Sequence, residues 1–535
     1  MCAAPDAPQA ALSLAAGRAA SAIGATGNRR RRAGRYSAAF PIFETPMASE
    51  IVDVLIVGAG LSGIGAARHL QLHCPDRSYA IVEARERSGG TWDLFRYPGV
   101  RSDSDMYTLG YRFRPWRSAK SIADGPSILQ YIRDTARDYG IEPQIRYQHR
   151  VVRAAWSSAE ALWTVTLERG AARGPVALRC RFLYLCSGYY RYEAGYTPDF
   201  PGLADFRGRF IHPQHWDPTT EVNGRRIVVI GSGATAVTLV PELAKRAAHV
   251  TMLQRSPTYV VSLPDEDAFA NALRALLPAR AAYAFVRWKN VLLGLGFYKL
   301  CRRFPEAVKK LLRAGVRRRL GKGYDVDRHF SPSYRPWDQR LCMVPNGDLF
   351  EAIRSGRASV CTDHIERFTA HGIHLRSGHT LDADIVVSAT GLQLAVLGDV
   401  RFAVDGRDVD LAKTMSYKGM MCSDLPNLAF AIGYTNASWT LKCDLSSEYV
   451  CRLLNHMRRH GYTHCTPRRR DPAVTEEPLI DFSSGYVRRA IDAFPKQGSR
   501  KPWKLYQNYV LDLLTLRHGR LDDGVIEFAA AATQA

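Results

Sequence analysis

Two stretches, IVDVLIVGAGLSGIGAARHL from Ile51 and RRIVVIGSGATAVTLVPELA from Arg225, repeat one order: an apolar strand, a glycine-rich turn, then a helix with small residues on its near face. The first turn carries Gly58, Gly60 and Gly63, and the second Gly231, Gly233 and Ala236. Taken alone, such spacing arises in ordinary loops. Enclosed by a strand and a helix, it marks a backbone that can approach a pyrophosphate at a helix N-terminus, where the helix dipole favours negative charge. Two such units constrain the chain to an α/β fold built on two dinucleotide-binding, Rossmann-like domains.

The residues that follow each unit differ in chemistry. Glu83 stands twenty residues after Gly63, at the end of the strand SYAIVEAR, where a dinucleotide fold places an acid on a ribose hydroxyl. After the second unit the strand HVTMLQRS ends on Arg255 and Ser256 instead. A carboxylate there would repel a 2′-phosphate, whereas guanidinium and hydroxyl groups can bond it. The first site suits FAD and the second NADPH rather than NADH. Together they point to hydride transfer from nicotinamide to flavin.

A chain of 535 residues exceeds one hydrophobic core. Residues 47–190 read as the first part of the FAD-binding domain, and 191–261 as the first part of the NADPH-binding domain. Residues 262–330 read as a helical insert, because the strand–helix rhythm breaks there. Residues 331–387 then complete the NADPH domain, and 388–535 return to the FAD domain and the C-terminal region. The expectation is an NADPH domain inserted into the FAD domain, plus the helical insert. Residues 1–46 hold six arginines, two acids and the run Arg29–Arg32 among Ala, Gly and Ser, so they cannot bury a core. They read as a disordered extension: an Arg-rich targeting segment, or an upstream reading of a start at Met47, which the position of Met47 just ahead of the first strand favours.

The formal charge of +22 admits an anionic cofactor, membrane surface or nucleic acid as partner. No zinc-finger, RNA-binding or helix-turn-helix signature is present, so nucleic acid is not expected. Much of the charge sits in the insert, with fourteen Lys or Arg and one acid, Glu306, between Arg274 and Lys322. A helical lid with a solvated basic face is the simpler reading; peripheral contact with an anionic membrane is the other. No run approaches the ~18 apolar residues of a membrane span. Eleven scattered cysteines without a C-x-x-C pair fit a reduced, cytoplasmic setting, and no metal site is expected.

Disulfide reductases place a redox cysteine after the first nucleotide unit. Here Gly89-Gly90-Thr91 is followed by Trp92, which argues against that chemistry and leaves dioxygen as the natural acceptor.

Two motifs sharpen the reading. Phe206-x-Gly208-x-x-x-His212-x-x-x-Trp216-Asp217 and Gly89-Gly90-x-Trp92-x-x-x-x-Tyr97-Pro98-Gly99-x-x-x-Asp103 are both complete. They resemble the fingerprints of Baeyer–Villiger monooxygenases. RPWDQRLCMVPNGDLF, GYTNASWTLK and PKQGSR are similar to the actinobacterial branch of that family, which activates thioamide prodrugs such as ethionamide.

The resemblance implies that NADPH reduces FAD, that dioxygen adds at the flavin C4a position, and that the peroxide formed oxygenates a small molecule. A ketone would yield an ester, and a thioether or thioamide would be oxidised at sulfur. By the same resemblance Arg340 is the active-site guanidinium, a charge that cannot be lost, and Asp103 the carboxylate that orients it. Gly90 and Trp92 are expected beside the flavin. His212 and Trp216, in an interdomain linker, are expected to couple NADPH binding to domain closure. Several relatives carry Lys before the active arginine; Gln339 stands there in this chain, which shifts the weight of phosphate recognition onto Arg255 and Ser256. Two other functions remain open: an NADPH oxidase without productive oxygenation, and a general N- or S-oxygenating flavin monooxygenase. Oligomeric state is left open.

Overall fold

The computed structural model describes residues 50–170, 173–480 and 482–530; the expected disordered extension 1–46 lies outside the described residues. Strand Ile51–Val57 is central to the first sheet, and Val54, Leu55 and Ile56 are wholly buried on both faces, as a parallel strand covered on two sides requires. It pairs in parallel with Tyr79–Val82 on one side, Val54 opposite Tyr79, and with the end of Arg173–Leu185 on the other, Val57 opposite Leu185. Strands His149–Ser157, Leu162–Arg169 and Arg173–Leu185 run as an antiparallel meander. Ile145–Arg146, Arg401–Val404, Arg407–Val409 and Leu428–Phe430 complete nine strands. Helices Leu61–His73 and Trp439–Arg459 bury their apolar faces in the core on one side of this sheet.

The second sheet has five parallel strands in the order Ala358–Thr362, His249–Gln254, Arg226–Ile230, Ile385–Ser388, Arg209–Ile211. The second glycine turn lies between strand Arg226–Ile230 and helix Ala234–Leu243. All five strands fall between residues 209 and 388, while the first sheet takes residues from both sides of that range. The fold is therefore two Rossmann-like units, one nested in the chain of the other. The Phe206–Asp217 motif is only in part a linker. Arg209–Ile211 is an edge strand of the second sheet, and only Pro213–His215 form an irregular turn.

Between the units' strands lie three helices, Ala268–Leu276, Ala279–Arg303 and Pro305–Leu320. Asp267 caps the first by accepting from the Ala270 amide at 3.0 Å, Pro305 opens the third, and Gly321 ends it at φ +91°. The inner face of the middle helix is pinned by Arg287, whose guanidinium donates to Tyr107 O and Gly110 O, both at 2.8 Å, and meets Asp444 at 3.3 Å. No described helix is long and apolar enough to cross a membrane.

Candidate active site

The first glycine turn and the start of the helix after the second, through Ala234, Thr235 and Thr238, line one large cleft. In the first, Gly58 has φ +105°, and a side chain there would also meet Cys186 O at 2.6 Å. Gly63 packs its helix so tightly that a Cβ would stand 1.9 Å from Gly58 O. Gly60 faces Gly90 across the cleft, the Cα of one about 3.0–3.4 Å from the Cβ position of the other. In the second turn Gly231 approaches Ala389 O at 2.4 Å in the same sense, and Ala236 is buried where its helix meets the sheet. The Cβ position of Gly233 meets nothing, which leaves bare backbone towards open space.

Glu83 sits at the strand end where its carboxylate is buried but not orphaned. It accepts from Ala59 N at 2.8 Å and from Arg85 N at 3.0 Å. Burial raises its pKa, opposed by those two amides. Trp92, partly buried, lines the cleft from the short helix Thr91–Leu94. That helix is held by a buried carboxylate, Asp93, which meets Arg85 at 2.7 Å, Arg133 at 2.8 Å and Arg96 at 3.3 Å. This clamp escaped the sequence reading because its members scatter from residue 85 to 133.

Arg340 and Asp103, 237 residues apart in sequence, meet at 3.0 Å in the same cleft. Burial works against the guanidinium charge, but Asp103 and the phenols of Tyr189, Tyr486 and Tyr190 outweigh it and hold the group above its ordinary value. The arginine is thus a fixed cation. Three residues before it, Trp337 adopts φ +71°, a left-handed backbone that a bulky side chain occupies only under local constraint.

An apolar cavity adjoins Arg340. Its walls include Phe430, Ile432, Leu479, Ile480 and Phe482, with Tyr189, Tyr486 and Trp439. Tyr189 stacks on Trp439 with ring centroids 4.9 Å apart and shares a 2.9 Å hydroxyl contact with Tyr190. At the far wall Asp512 accepts from Tyr434 at 2.6 Å and from Lys442 at 2.8 Å. The aromatic wall is a second omission of the sequence reading. Tyr189-Tyr190, reached through Cys186-Ser187-Gly188 after strand Arg173–Leu185, was the available signal. In the stretch GYTNASWT, Trp439 lines the cavity, whereas Asn436 donates from its amide to Gln507 O at 2.8 Å.

The remaining sequence-picked residues lie elsewhere. Arg255 and Ser256 are exposed at the end of strand His249–Gln254, beside the second turn, where Ser232 Oγ donates to Ser256 O at 3.0 Å. Arg255 makes no ion pair among the described residues. His212 and Trp216, expected in a linker that couples NADPH binding to domain closure, are not among the residues that line the cleft. Trp216 is buried in the core of the second unit because its indole completes the apolar face beneath strands Arg226–Ile230 and Ile385–Ser388. His212 donates from Nε2 to Gly391 O at 3.1 Å and accepts at Nδ1 from Gln214 N at 3.2 Å. Burial lowers its pKa, so the neutral ring is favoured. It ties the edge strand to the loop by which the chain leaves the second sheet.

Comparison with known proteins agrees with this geometry. The family described as Flavin-binding monooxygenase-like matches residues 122–454, and an NAD(P)-binding Rossmann-like domain matches residues 56–118. The FAD-containing monooxygenase EthA of Mycobacterium tuberculosis H37Rv is 56% identical over 482 residues, covering 90% of this chain and 98% of that one. EthA of Mycolicibacterium smegmatis is 53% identical, covering 90% and 97%. Among solved structures, an oxidised steroid monooxygenase bound to NADP aligns with a TM-score of 0.71 at 20% identity, over 90% of this chain and 100% of that one. OTEMO complexed with FAD and NADP aligns with a TM-score of 0.66 at 21% identity, over 78% and 86%. With two nested nucleotide-binding units around one cleft and a relative sharing more than half its residues, the chain belongs to the flavin-binding monooxygenase family.

Proposed function

We propose that this protein uses NADPH and dioxygen, through bound FAD, to insert one oxygen atom into a small apolar molecule: a ketone, giving an ester, or the sulfur of a thioether or thioamide. The observation that carries the reading is the Arg340–Asp103 pair, set in the cleft lined by the first glycine turn and by the helix start after the second, beside an aromatic-walled cavity. The residues of the cleft fit the two nucleotides. Gly58, Gly60 and Gly63 present the first helix N-terminus, Glu83 keeps free lone pairs for a ribose hydroxyl, and Gly90 and Trp92 face them. Gly231, Gly233 and Ala236 present the second N-terminus, with Arg255 and Ser256 at its rim for a 2′-phosphate.

When bound and reduced by NADPH, the flavin supplies activated oxygen. The chain's own part is electrostatic and steric. Arg340 places a permanent cation where negative charge develops on oxygen, and Asp103 fixes its plane without neutralising the face turned to the cavity. Tyr189, Tyr486 and Trp439 exclude water from the apolar side, which favours transfer to substrate over loss to solvent. His212 and Trp216 act from outside the cleft, by holding the edge strand and the Gly391 loop in register.

The test is to supply the purified protein with NADPH and isotopically heavy dioxygen, together with an aryl ketone and an aryl thioether. One heavy oxygen in ester or sulfoxide is expected. Consumption of NADPH with hydrogen peroxide and no labelled product would overturn the proposal in favour of an oxidase.

A further inference from the structure

Fifteen large apolar side chains are exposed among the described residues, and eleven of them fall between Leu263 and Leu311. The concentration is in the helical insert. On helix Ala279–Arg303 the side chains of Phe285, Trp288 and Leu292 recur at three-to-four-residue spacing on its outer side, joined by Leu293 and, two turns on, Leu300, with Leu292 and Leu293 at 55% and 64% exposure. The opposite side, through Tyr283, Val286 and Arg287, is the one already buried against the first unit. The helix is thus apolar on two faces, and among the described residues only one of them is buried, the outer one touching the first unit through Trp288 and Tyr509 at its edge.

The insert that carries this face is also rich in unpaired cations. Arg280, Lys299, Lys310, Arg318 and Lys322 make no ion pair among the described residues, and Glu306, the lone acid of the stretch, is already held by Lys309 at 3.1 Å. The stripe runs on into a cavity between the insert and the first unit. There Arg68, Arg112, Arg280 and Arg517 stand beside Trp288 and Tyr509, with Glu448 shared by Arg112 and Arg517.

We propose that this outer face docks on the surface of an anionic lipid bilayer, the apolar stripe entering the headgroup region while the cations meet phosphates. Charge decides the occupant. A second copy would bring the same cations to the same place, and the 1–46 segment carries six arginines against two acids, so both are repelled. A lipid surface alone among these supplies negative charge and an apolar phase in one layer.

The experiment is co-sedimentation of the full chain with vesicles of equimolar phosphatidylglycerol and phosphatidylcholine, and with phosphatidylcholine alone. Binding at low salt at least about tenfold stronger to the anionic vesicles, and lost as salt rises, is expected. Leu292→Ser/Leu293→Ser and Lys299→Glu/Lys310→Glu should each weaken it by about tenfold, with NADPH oxidation in solution unchanged. Equal binding to both vesicles, no binding at low salt, or indifference to the leucine pair would overturn the proposal. So would a dimer in sedimentation equilibrium that the leucine pair dissolves, which would give the face to a second copy.

Discussion

Arg287 and Asp444 meet at 3.3 Å with both side chains sealed from solvent, and this contact joins the helical insert to the helix Trp439–Arg459 behind the first sheet. The carboxylate also holds His69 at 3.2 Å and the Arg112 amide at 3.2 Å. Burial opposes the Asp444 charge, yet these partners keep its pKa below the ordinary value.

Arg287→Leu leaves that carboxylate buried with its guanidinium partner gone. A loss of about 3–5 kcal/mol in chemical denaturation is expected, partly recovered by adding Asp444→Asn. A loss below about 1 kcal/mol would show that the pair does not fasten the insert.

Arg340→Ala removes the fixed cation but no part of either glycine turn. Flavin content and slow NADPH oxidation should persist, while labelled ester and sulfoxide vanish. Arg340→Lys should restore little, because a flexible ammonium cannot keep both the fork geometry and the Asp103 contact. Oxygenation at the original rate in either variant would remove Arg340 from the reaction.

Arg255→Ala should raise the KM for NADPH by about ten- to a hundredfold, the worth of a charge-assisted phosphate contact, and barely move the KM for NADH. Equal changes for the two nucleotides would place the 2′-phosphate elsewhere. Gln339→Lys is expected to act in the opposite direction, tightening NADPH alone.

His212 titrates below its ordinary value because burial disfavours its cation, and a proton on Nδ1 would face the Gln214 N–H donor. Its folded pKa is depressed, so its contribution to stability is complete above about pH 6.5 and is lost as pH falls from there towards the folded pKa. The melting temperature of the protein should therefore fall more between about pH 7 and about pH 5 than that of His212→Gln. Parallel curves would mean that the ring titrates freely.

Much of this molecule is legible in its residues because a few positions are set by backbone geometry. Gly58, Gly63 and Gly231 announce their turns, since nothing larger fits against Cys186, Gly58 and Ala389. Arg340 and Asp103 became legible only through complete motifs, as no local rule joins residues 237 apart. Tyr189 and Trp439 were harder, because a buried aromatic reads the same in a core and in a cavity wall. Trp216 belongs to a motif read as a linker, and its indole lies in the core of the second unit, a burial that no local spacing announces.

Strands Arg209–Ile211 and Ile385–Ser388, where the chain joins and leaves the second sheet, are hydrogen-bonded neighbours. The two crossings are thereby separated by roughly the length of one short strand, about 10 Å. A unit with its ends so close can be exchanged as a cassette, provided its counterpart from a relative with other nucleotide tastes matches this pair of strands, the Gly391 tether and the contacts that Arg287 and Arg340 make with the first unit.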